Sequence, residues 1–529
     1  AAENRGGVLR DEDREALERQ QIFLAPHGMK QFHLEIQNLY AALAQPTEKL
    51  TVSYPVSDGK GAEKRPSFVI GRIARLLPSI SVETESTDKE YRLSVKSTAL
   101  EYAGEHIGGA LWQYFEGQGD AERALAAMKD ASRYTRGHLS RDAVHALYGG
   151  AVTLSASRMD MARSCHFAYF MRYGLKARER TGAGFDAPQI GTFVHDVMEH
   201  TLRQAKECGG LHTLSKDKLH ALVRASIEEY IDRVLPDLCE KSARFRYLFN
   251  RLCAAVERIM DEVSEELQSS DFEPLAFELE FGADGQLPAI TIREENGTAR
   301  VVGKVDRVDG WLHDGKLYLR VVDYKTGKKS FDLAELRYGL GLQMLLYLFT
   351  LKEEGQMLFG GHEIVPAGVL YTPAREPMLR CARDTEPEKI EKALKKELRR
   401  SGMVLEDPAV LQAMEHSALE SPCYLPIAVK RDGAVMGSLA SAEQLGKLSK
   451  YVDHILHEIT QEVFAGNIDA DPYARTPQQS ACTYCEFASA CHFENGCGSD
   501  RMEYIKATKN DEFWQYIDEV NGEGAHENG

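Results

Sequence analysis

Gly303-Lys304-Val305-Asp306-Arg307-Val308-Asp309 and Val321-Val322-Asp323-Tyr324-Lys325-Thr326-Gly327 decide the fold of this chain. Both runs are rich in valine, and Asp314-Gly315 between them is a turn pair, so the two read as strands flanking a hairpin turn. Side chains alternate faces along a strand, which puts Asp323 and Lys325 on one face and Val322 and Tyr324 on the other. A neighbouring strand carrying Asp306 then brings a second carboxylate beside them. Two acids and a lysine in this arrangement are the minimum for holding a hard divalent cation and activating a water next to it.

The chain has 529 residues and a formal net charge of −17, which argues against a protein that coats a polyanion through bulk charge. Local charge runs the other way. Between Gly303 and Ser330 stand seven Lys/Arg and four Asp, a net charge of +3, and a basic lip around an acidic pair suits a phosphodiester. A hydrophobic content of 43% fits a folded globular chain of two to four domains. There is no run of eighteen apolar residues and no basic stretch leading into an apolar one at the start, so neither a membrane span nor a signal peptide is expected and a cytoplasmic protein is. The first residue, Ala1, is not methionine, which reads as a portion of something longer. The string nearest to a phosphate-binding loop, Thr326-Gly327-Lys328-Lys329-Ser330, lacks the first glycine and has lysine where the hydroxyl belongs. Hydrolysis of ATP by this chain alone is therefore not expected.

In residues 1–150 the apolar spacing of Phe32, Ile36, Leu39, Tyr40 and Leu43 predicts a helix, Leu50-Thr51-Val52-Ser53-Tyr54 a short strand, and Gly149-Gly150 a linker. From Thr153 onward one helix is expected to contain Cys165 and run through Phe167 and Tyr169 to Tyr173. A second, opening near Gly191-Thr192, carries His195. Further helices fill 214–268, Leu275–Phe281 alternates as a strand, Leu342–Tyr347 is helical and Gly368–Tyr371 is a strand. This order predicts an α/β fold, a mixed sheet flanked by helices with a helical insertion. The segment 501–529, acidic and rich in Gly and Asn, reads as a frayed tail.

Ten cysteines are too few for a disulfide scaffold in a chain this long. Cys208, Cys239, Cys253, Cys381 and Cys423 are scattered and read as packing residues. Cys482-x2-Cys485-x5-Cys491-x5-Cys497 is clustered as a metal site is, and a four-thiolate zinc centre with His492 as a further ligand fits that spacing. The string His195-Asp196-Val197-Met198-Glu199-His200 matches neither ligand spacing of the zinc proteases, which sets that chemistry aside.

At Gly191-Thr192-Phe193-Val194-His195, Gly303–Asp309, Val322-Asp323-Tyr324-Lys325 and Gln343-Met344-Leu345-Leu346-Tyr347 the chain resembles the PD-(D/E)XK nucleases of the RecB type, over residues 153–495. The resemblance implies that His195, Asp306 and Asp323 hold Mg2+, or Mn2+, together with the backbone carbonyl of Tyr324. Lys325 would orient the attacking water and offset charge on the phosphate. Gln343 and Tyr347, four apart on one helix face, would steady that lysine and the DNA backbone. A further acid of the family matches Glu278 or Glu280, two positions on one strand face between which the sequence does not choose. The chain is also similar to iron–sulfur, AddB-like members of this family, in which one cysteine precedes the core and three follow as Cys-x2-Cys-x5-Cys. That implies a 4Fe-4S cluster on Cys165, Cys482, Cys485 and Cys491, with Cys497 spare and His166 where the family commonly has proline.

The passage from Glu18 through Ala42-Leu43-Ala44-Gln45-Pro46 to Leu50 resembles the last signature segment of UvrD-like helicases, with Gln45 where that family has its phosphate-contacting arginine. A degenerate helicase-like region over 1–150, a nuclease domain with an iron–sulfur clip over 151–500 and a tail over 501–529 follow as expectations. Together these resemble the C-terminal part of the AddB family of bacterial AddAB helicase–nucleases. The resemblance implies an exonuclease of the 5'-ended strand that acts on DNA ends during break resection, beside an AddA-like motor partner and with a part in Chi recognition. A DNA-holding protein that keeps the fold without turnover is the alternative.

Overall fold

A computed structural model describes residues 11–25, 28–56, 63–80, 92–133, 135–178, 187–236, 242–282, 285–327, 329–377, 379, 381, 385–476 and 478–527; Cys239 and Lys328 lie outside the described residues. The chain divides into two compact units, Ala1–Lys129 and Asp130–Gly529. The division falls before the boundary expected at 150, because the intervening segment is bonded into the second unit. The guanidinium of Arg136 grips both oxygens of Asp500 at 2.7 and 2.8 Å and donates to the Cys491 carbonyl at 2.9 Å.

The first unit is helical. Its apolar spacing gives the expected helix Gly28–Ala44. Among the described residues it contains no strand, so the one expected at Leu50–Tyr54 does not form: strands need a partner edge, and no neighbouring strand supplies one there. Ala99, Ala103, Trp112, Phe115, Ala121 and Leu125 make its small core.

The second unit is built on a six-stranded mixed sheet flanked by helices, the α/β class expected. Its strands are β1 (Glu273–Phe281), β2 (Gly303–His313), β3 (Lys316–Lys325), β4 (Glu363–Pro373), β5 (Ser401–Leu405) and β6 (Leu439–Ala440), and their order across the sheet is their order along the chain. Pairs β1/β2, β2/β3 and β4/β5 are antiparallel, whereas β3/β4 and β5/β6 are parallel. The helices used below are α1 (Ala156–Ser164), α2 (Ala187–Glu207), α3 (Lys216–Val234), α4 (Ala243–Gln268), α5 (Gln343–Glu354), α6 (Ala442–Phe464) and α7 (Asn510–Glu527). Between the opening strands Asp314 and Gly315 both take positive φ, 49° and 78°, the backbone of a two-residue turn whose twist matches a hairpin. The segment expected to fray is instead α7, which packs on α6 and buries Phe513 and Ile517 completely. Its aromatic and aliphatic residues outweigh the acidic composition that suggested disorder. Among the described residues no helix is long and apolar enough to cross a membrane.

The helix expected to run through Cys165 is interrupted there. α1 stops at Ser164, Cys165 is extended (φ −175°, ψ 120°), and helix resumes at His166. The break frees two N–H groups that a continuous helix would consume: His166 donates to Asp471 Oδ1 at 3.0 Å and Phe167 to the Asp469 carbonyl at 2.8 Å. Cys208 and Cys381 are exposed and so are not the packing residues expected of them.

One face of the β2–β3 hairpin is held by charge. Arg307 Nε lies 2.8 Å from Asp309 Oδ1 and Arg320 Nε 2.9 Å from Asp309 Oδ2, all three side chains fully buried. Glu266 of α4 completes the group, 2.6 Å from Arg400 Nη2 and 3.4 Å from Arg320 Nη2. Arg307 also donates to Tyr324 Oη at 2.7 Å. Burial disfavours the Glu266 carboxylate, but Arg400, Arg320 and Arg307 overcome that penalty and push its pKa down to about 2. A carboxyl whose folded pKa lies below its unfolded value near 4.5 contributes stability that is fully present above 4.5 and is lost as pH falls toward 2. Glu266→Ala leaves buried guanidiniums unpaired and is expected to destabilise the second unit by about 3–5 kcal/mol at neutral pH in urea titrations. The Glu266→Gln protein should lose less further stability than the parent between pH 4.5 and 2, and parallel pH profiles would contradict the assignment.

Candidate active site

The opposite face of the same hairpin carries the acids, because neighbours in a strand alternate sides. Asp306 comes from β2, Asp323 and Lys325 from β3, Glu278 from β1 and His195 from α2. The ligand atoms of His195, Glu278 and Asp306 lie within 4.8 Å of one another. His195 Nδ1 is 3.3 Å from Asp306 Oδ2, and its Nε2 is 2.9 Å from the Tyr324 carbonyl oxygen, which can only accept. The Tyr324 N–H in turn donates to Asp306 Oδ2 at 2.9 Å. Acceptors face both ring nitrogens: burial opposes charge on the imidazole, but the hydrogen bond and charge of Asp306, then the charges of Asp323 and Glu278, outweigh it and raise its pKa, and a cation held there would take the place of that proton. The donor set thus calls for positive charge at its centre, and oxygen and imidazole ligands of this kind suit Mg2+ or Mn2+.

Asp323 stands beside this group with Oδ2 at 2.7 Å from Lys325 Nζ. Burial, then the charge of Asp306, raise its pKa to about 6. Glu278 is likewise raised by burial, although Lys304 Nζ sits 2.5 Å from it. The lysine ammonium of Lys325 lies 5.8 Å from the centre of the Tyr371 ring. Gln343, at the start of α5, donates to Tyr347 Oη at 3.2 Å. The structure therefore joins the predicted residues as adjoining sets: Gln343 with Tyr347, Lys325 with Asp323, and His195 with Asp306 and the Tyr324 backbone.

Tyr347 braces the start of β2. Its ring meets Phe281 edge-on at 5.2 Å, and Gly303 lies against both rings. A Cβ at position 303 would stand 2.5 Å from Phe281 Cζ and Tyr347 Cε1, so the leading glycine of the Gly-x-x-Asp string is required by packing.

Sequence reasoning left the fifth residue undecided between Glu278 and Glu280, taken to share a face. The register Phe277↔Arg307 and Leu279↔Val305 sets Glu278 across from Asp306. Glu278 adopts φ +50°, unusual for a non-glycine residue, and this break in the alternation separates the two acids: the Glu278 side chain is 13% exposed and that of Glu280 54%. Glu278 is the one in the site. Strand register is the signal that chooses it, and register is not visible in the sequence of β1 alone.

Cys165, Cys482, Cys485 and Cys491 line one cavity of about 570 Å³, whereas Cys497 is exposed and lies outside that lining; His492 does line it. Burial raises the thiol pKa of Cys165 to about 12 and that of Cys482 to about 11. Zinc bonds of roughly 2.3 Å would hold tetrahedral sulfurs about 3.8 Å apart. Among the described residues the group of three or more ligand atoms within 4.8 Å of one another is His195, Glu278 and Asp306. His166, standing where proline was the family expectation, uses the N–H that proline lacks, and its ring binds Asp471 Oδ2 at 2.6 Å and Glu462 Oε2 at 3.1 Å.

Residues 153–492, more than half of the chain, match the family model of the PD-(D/E)XK nuclease superfamily, and the chain belongs to that superfamily. Over 97% of its length it is 30% identical to the B subunit of the ATP-dependent helicase/deoxyribonuclease of Ruminiclostridium cellulolyticum and 31% identical to that of Acetivibrio thermocellus. It is 29% identical to the protein of the same name in Clostridium botulinum strain Loch Maree, again over 97% of the chain. The chain spans about half the length of these relatives, 47%, 46% and 47% respectively.

Gly303→Ala is expected to destabilise the second unit by about 1–3 kcal/mol, since two aromatic rings must move to admit one methyl group. Chemical denaturation measures it, and a stability equal to the parent's would show that Tyr347 does not press on β2.

Proposed function

We propose that this chain is a divalent-metal-dependent DNA nuclease, part of a helicase–nuclease of the AddAB kind. The observation that carries the reading is the meeting of Glu278, Asp306 and His195 beside the Asp323–Lys325 pair on one face of the hairpin. When bound, the cation supplies Lewis-acid activation of water and neutralises charge at the phosphate. The chain's own residues do the positioning. His195, Glu278, Asp306 and the Tyr324 carbonyl would hold the metal with Asp323, and Lys325, paired with Asp323 at 2.7 Å, would orient the attacking water and offset charge on the phosphate. Gln343 and Tyr347 would line the path of the DNA backbone.

The names of the relatives support the wider assignment. As part of the B subunit of an ATP-dependent helicase/deoxyribonuclease, the chain would work in the bacterial cytoplasm with an AddA-like partner that supplies the motor, consistent with the missing phosphate-binding loop here. Exonucleolytic cutting of the 5'-ended strand at DNA ends, and help in reading Chi, are the finer parts of this proposal. The four converging cysteines would hold a 4Fe-4S cluster that clips the start of the nuclease domain to its end; the inclusion of Cys165 in the shared lining, with Cys497 outside it, supports that set over the four clustered cysteines of a zinc centre.

Asp323→Ala and Lys325→Ala are expected to lower Mg2+-dependent digestion of linear DNA by about 10²-fold or more, with DNA binding retained. Undiminished digestion by both would leave a DNA-holding role in place of the catalytic one. Glu278→Ala should weaken Mn2+ binding by about 10- to 100-fold in calorimetric titration. Anaerobically purified protein is expected to contain iron and sulfide with a broad visible absorbance, both absent from Cys485→Ser; zinc in place of iron would overturn the cluster.

A further inference from the structure

Two clefts open from the site, and their charge differs. The one at Tyr347, about 620 Å³, has one cation and one acid among its lining side chains, Lys304 and Glu280. The other, about 330 Å³, begins at Lys325 itself and is lined by three more cations, Lys329, Arg375 and Arg399, against the single acid Glu397. The three come from separate segments: the loop after β3, the residues after β4 and the residue two before β5. Cations so far apart in sequence share one cleft only because the parallel β3–β4 pair and the antiparallel β4–β5 pair end together there.

Each of these side chains is tethered without being consumed. Arg375 meets Glu397 at 3.4 Å with 21% of its side chain exposed, Arg399 donates to the Pro422 carbonyl, and Lys329 lies 3.7 Å from Glu335 with 36% exposed. A guanidinium has five N–H donors, so one partner orients it while its remaining donors can fork onto a phosphate. Like charges gathered in a cleft repel one another, and an anion bound among them relieves that repulsion.

We propose that this second cleft is a phosphate subsite in which Lys329, Arg375 and Arg399 hold the backbone phosphates of the DNA strand adjoining the one addressed by Lys325. The inference rests on the nuclease reading and deepens it: the strand is gripped by charge on one side of the cut, and the Tyr347 cleft takes the other side with little charge. These three are positioning residues, since none of them joins the metal ligands. Interactions of this kind set register on the strand without reading its bases.

The test uses Arg375→Gln, Arg399→Gln and their double variant in the full chain, with single-stranded DNA as the probe. Affinity is measured by fluorescence anisotropy in EDTA across a salt series, so that binding is read with no cleavage. Removing one arginine–phosphate ion pair should flatten the slope of log affinity against log salt by about 0.7. The double variant is expected to raise KM for DNA by about tenfold or more while kcat falls less, and Arg375→Lys with Arg399→Lys should recover the salt slope. A double variant with the parent's slope and KM overturns the subsite, as does a fall in kcat with the slope unchanged. A parent protein that binds DNA with the expected slope difference but does not cut it defeats the nuclease reading and leaves the subsite standing. Circular dichroism and the urea midpoint of each variant separate weakened DNA binding from a damaged fold.

Discussion

Three guanidiniums and two carboxylates share a dry compartment under the hairpin, and the geometry of the site hangs from them. Removing each ion from water costs several kcal/mol, and only close pairing offsets it, so Glu266, Arg307, Asp309, Arg320 and Arg400 tolerate few placements. Apolar packing of the same volume would stabilise as well or better, but it would slide. Because β2 and β3 alternate, Arg307 is locked on one face while Asp306 stands on the other, and Tyr324 is locked while Asp323 and Lys325 project oppositely. The network therefore reaches the acids through single backbone steps, and it ties α4 and the edge before β5 to the strands that carry the site.

A second constraint closes the domain end to end. Arg136 on Asp500, His166 on Asp471 and Arg172 on Glu486 bring the chain after α6 back to the segment around Cys165. Bringing distant segments together has an entropic cost that grows only slowly with loop length, so a few well-placed ion pairs suffice. The extended residue at Cys165 is the local concession: one helical turn is given up so that two N–H groups and one thiol face the returning chain.

Much of the site was legible because it lies on short periodic segments. The valine-rich strands around Asp306 and Asp323, the turn at Asp314-Gly315 and the helix carrying His195 each announce themselves through local pattern, and the structure forms all of them. The errors share a cause as well. Leu50–Tyr54 has strand composition but no partner edge, α7 has a tail's composition but an aromatic face that α6 buries, and the helix through Cys165 is broken by bonds to residues some 300 positions away. In each case the non-local surroundings outweighed the local preference.

Residue types and their spacing were enough to define an α/β fold and the hairpin, and the family resemblance added the nuclease class and the candidate set of Asp306, Asp323 and Lys325. The spacing alone grouped Cys497 with Cys482, Cys485 and Cys491, whereas Cys165 joins the last three in one lining. Local periodicity follows from backbone stereochemistry, which the sequence carries in full. Only the folded chain decided that Glu278 and not Glu280 enters the site, that Arg307, Arg320 and Arg400 are buried around Glu266 rather than displayed as a basic surface, and that Arg375 and Arg399 converge on Lys325. Each of these depends on strand register and on which elements lie side by side, and register is a property of pairs of segments that no single segment contains.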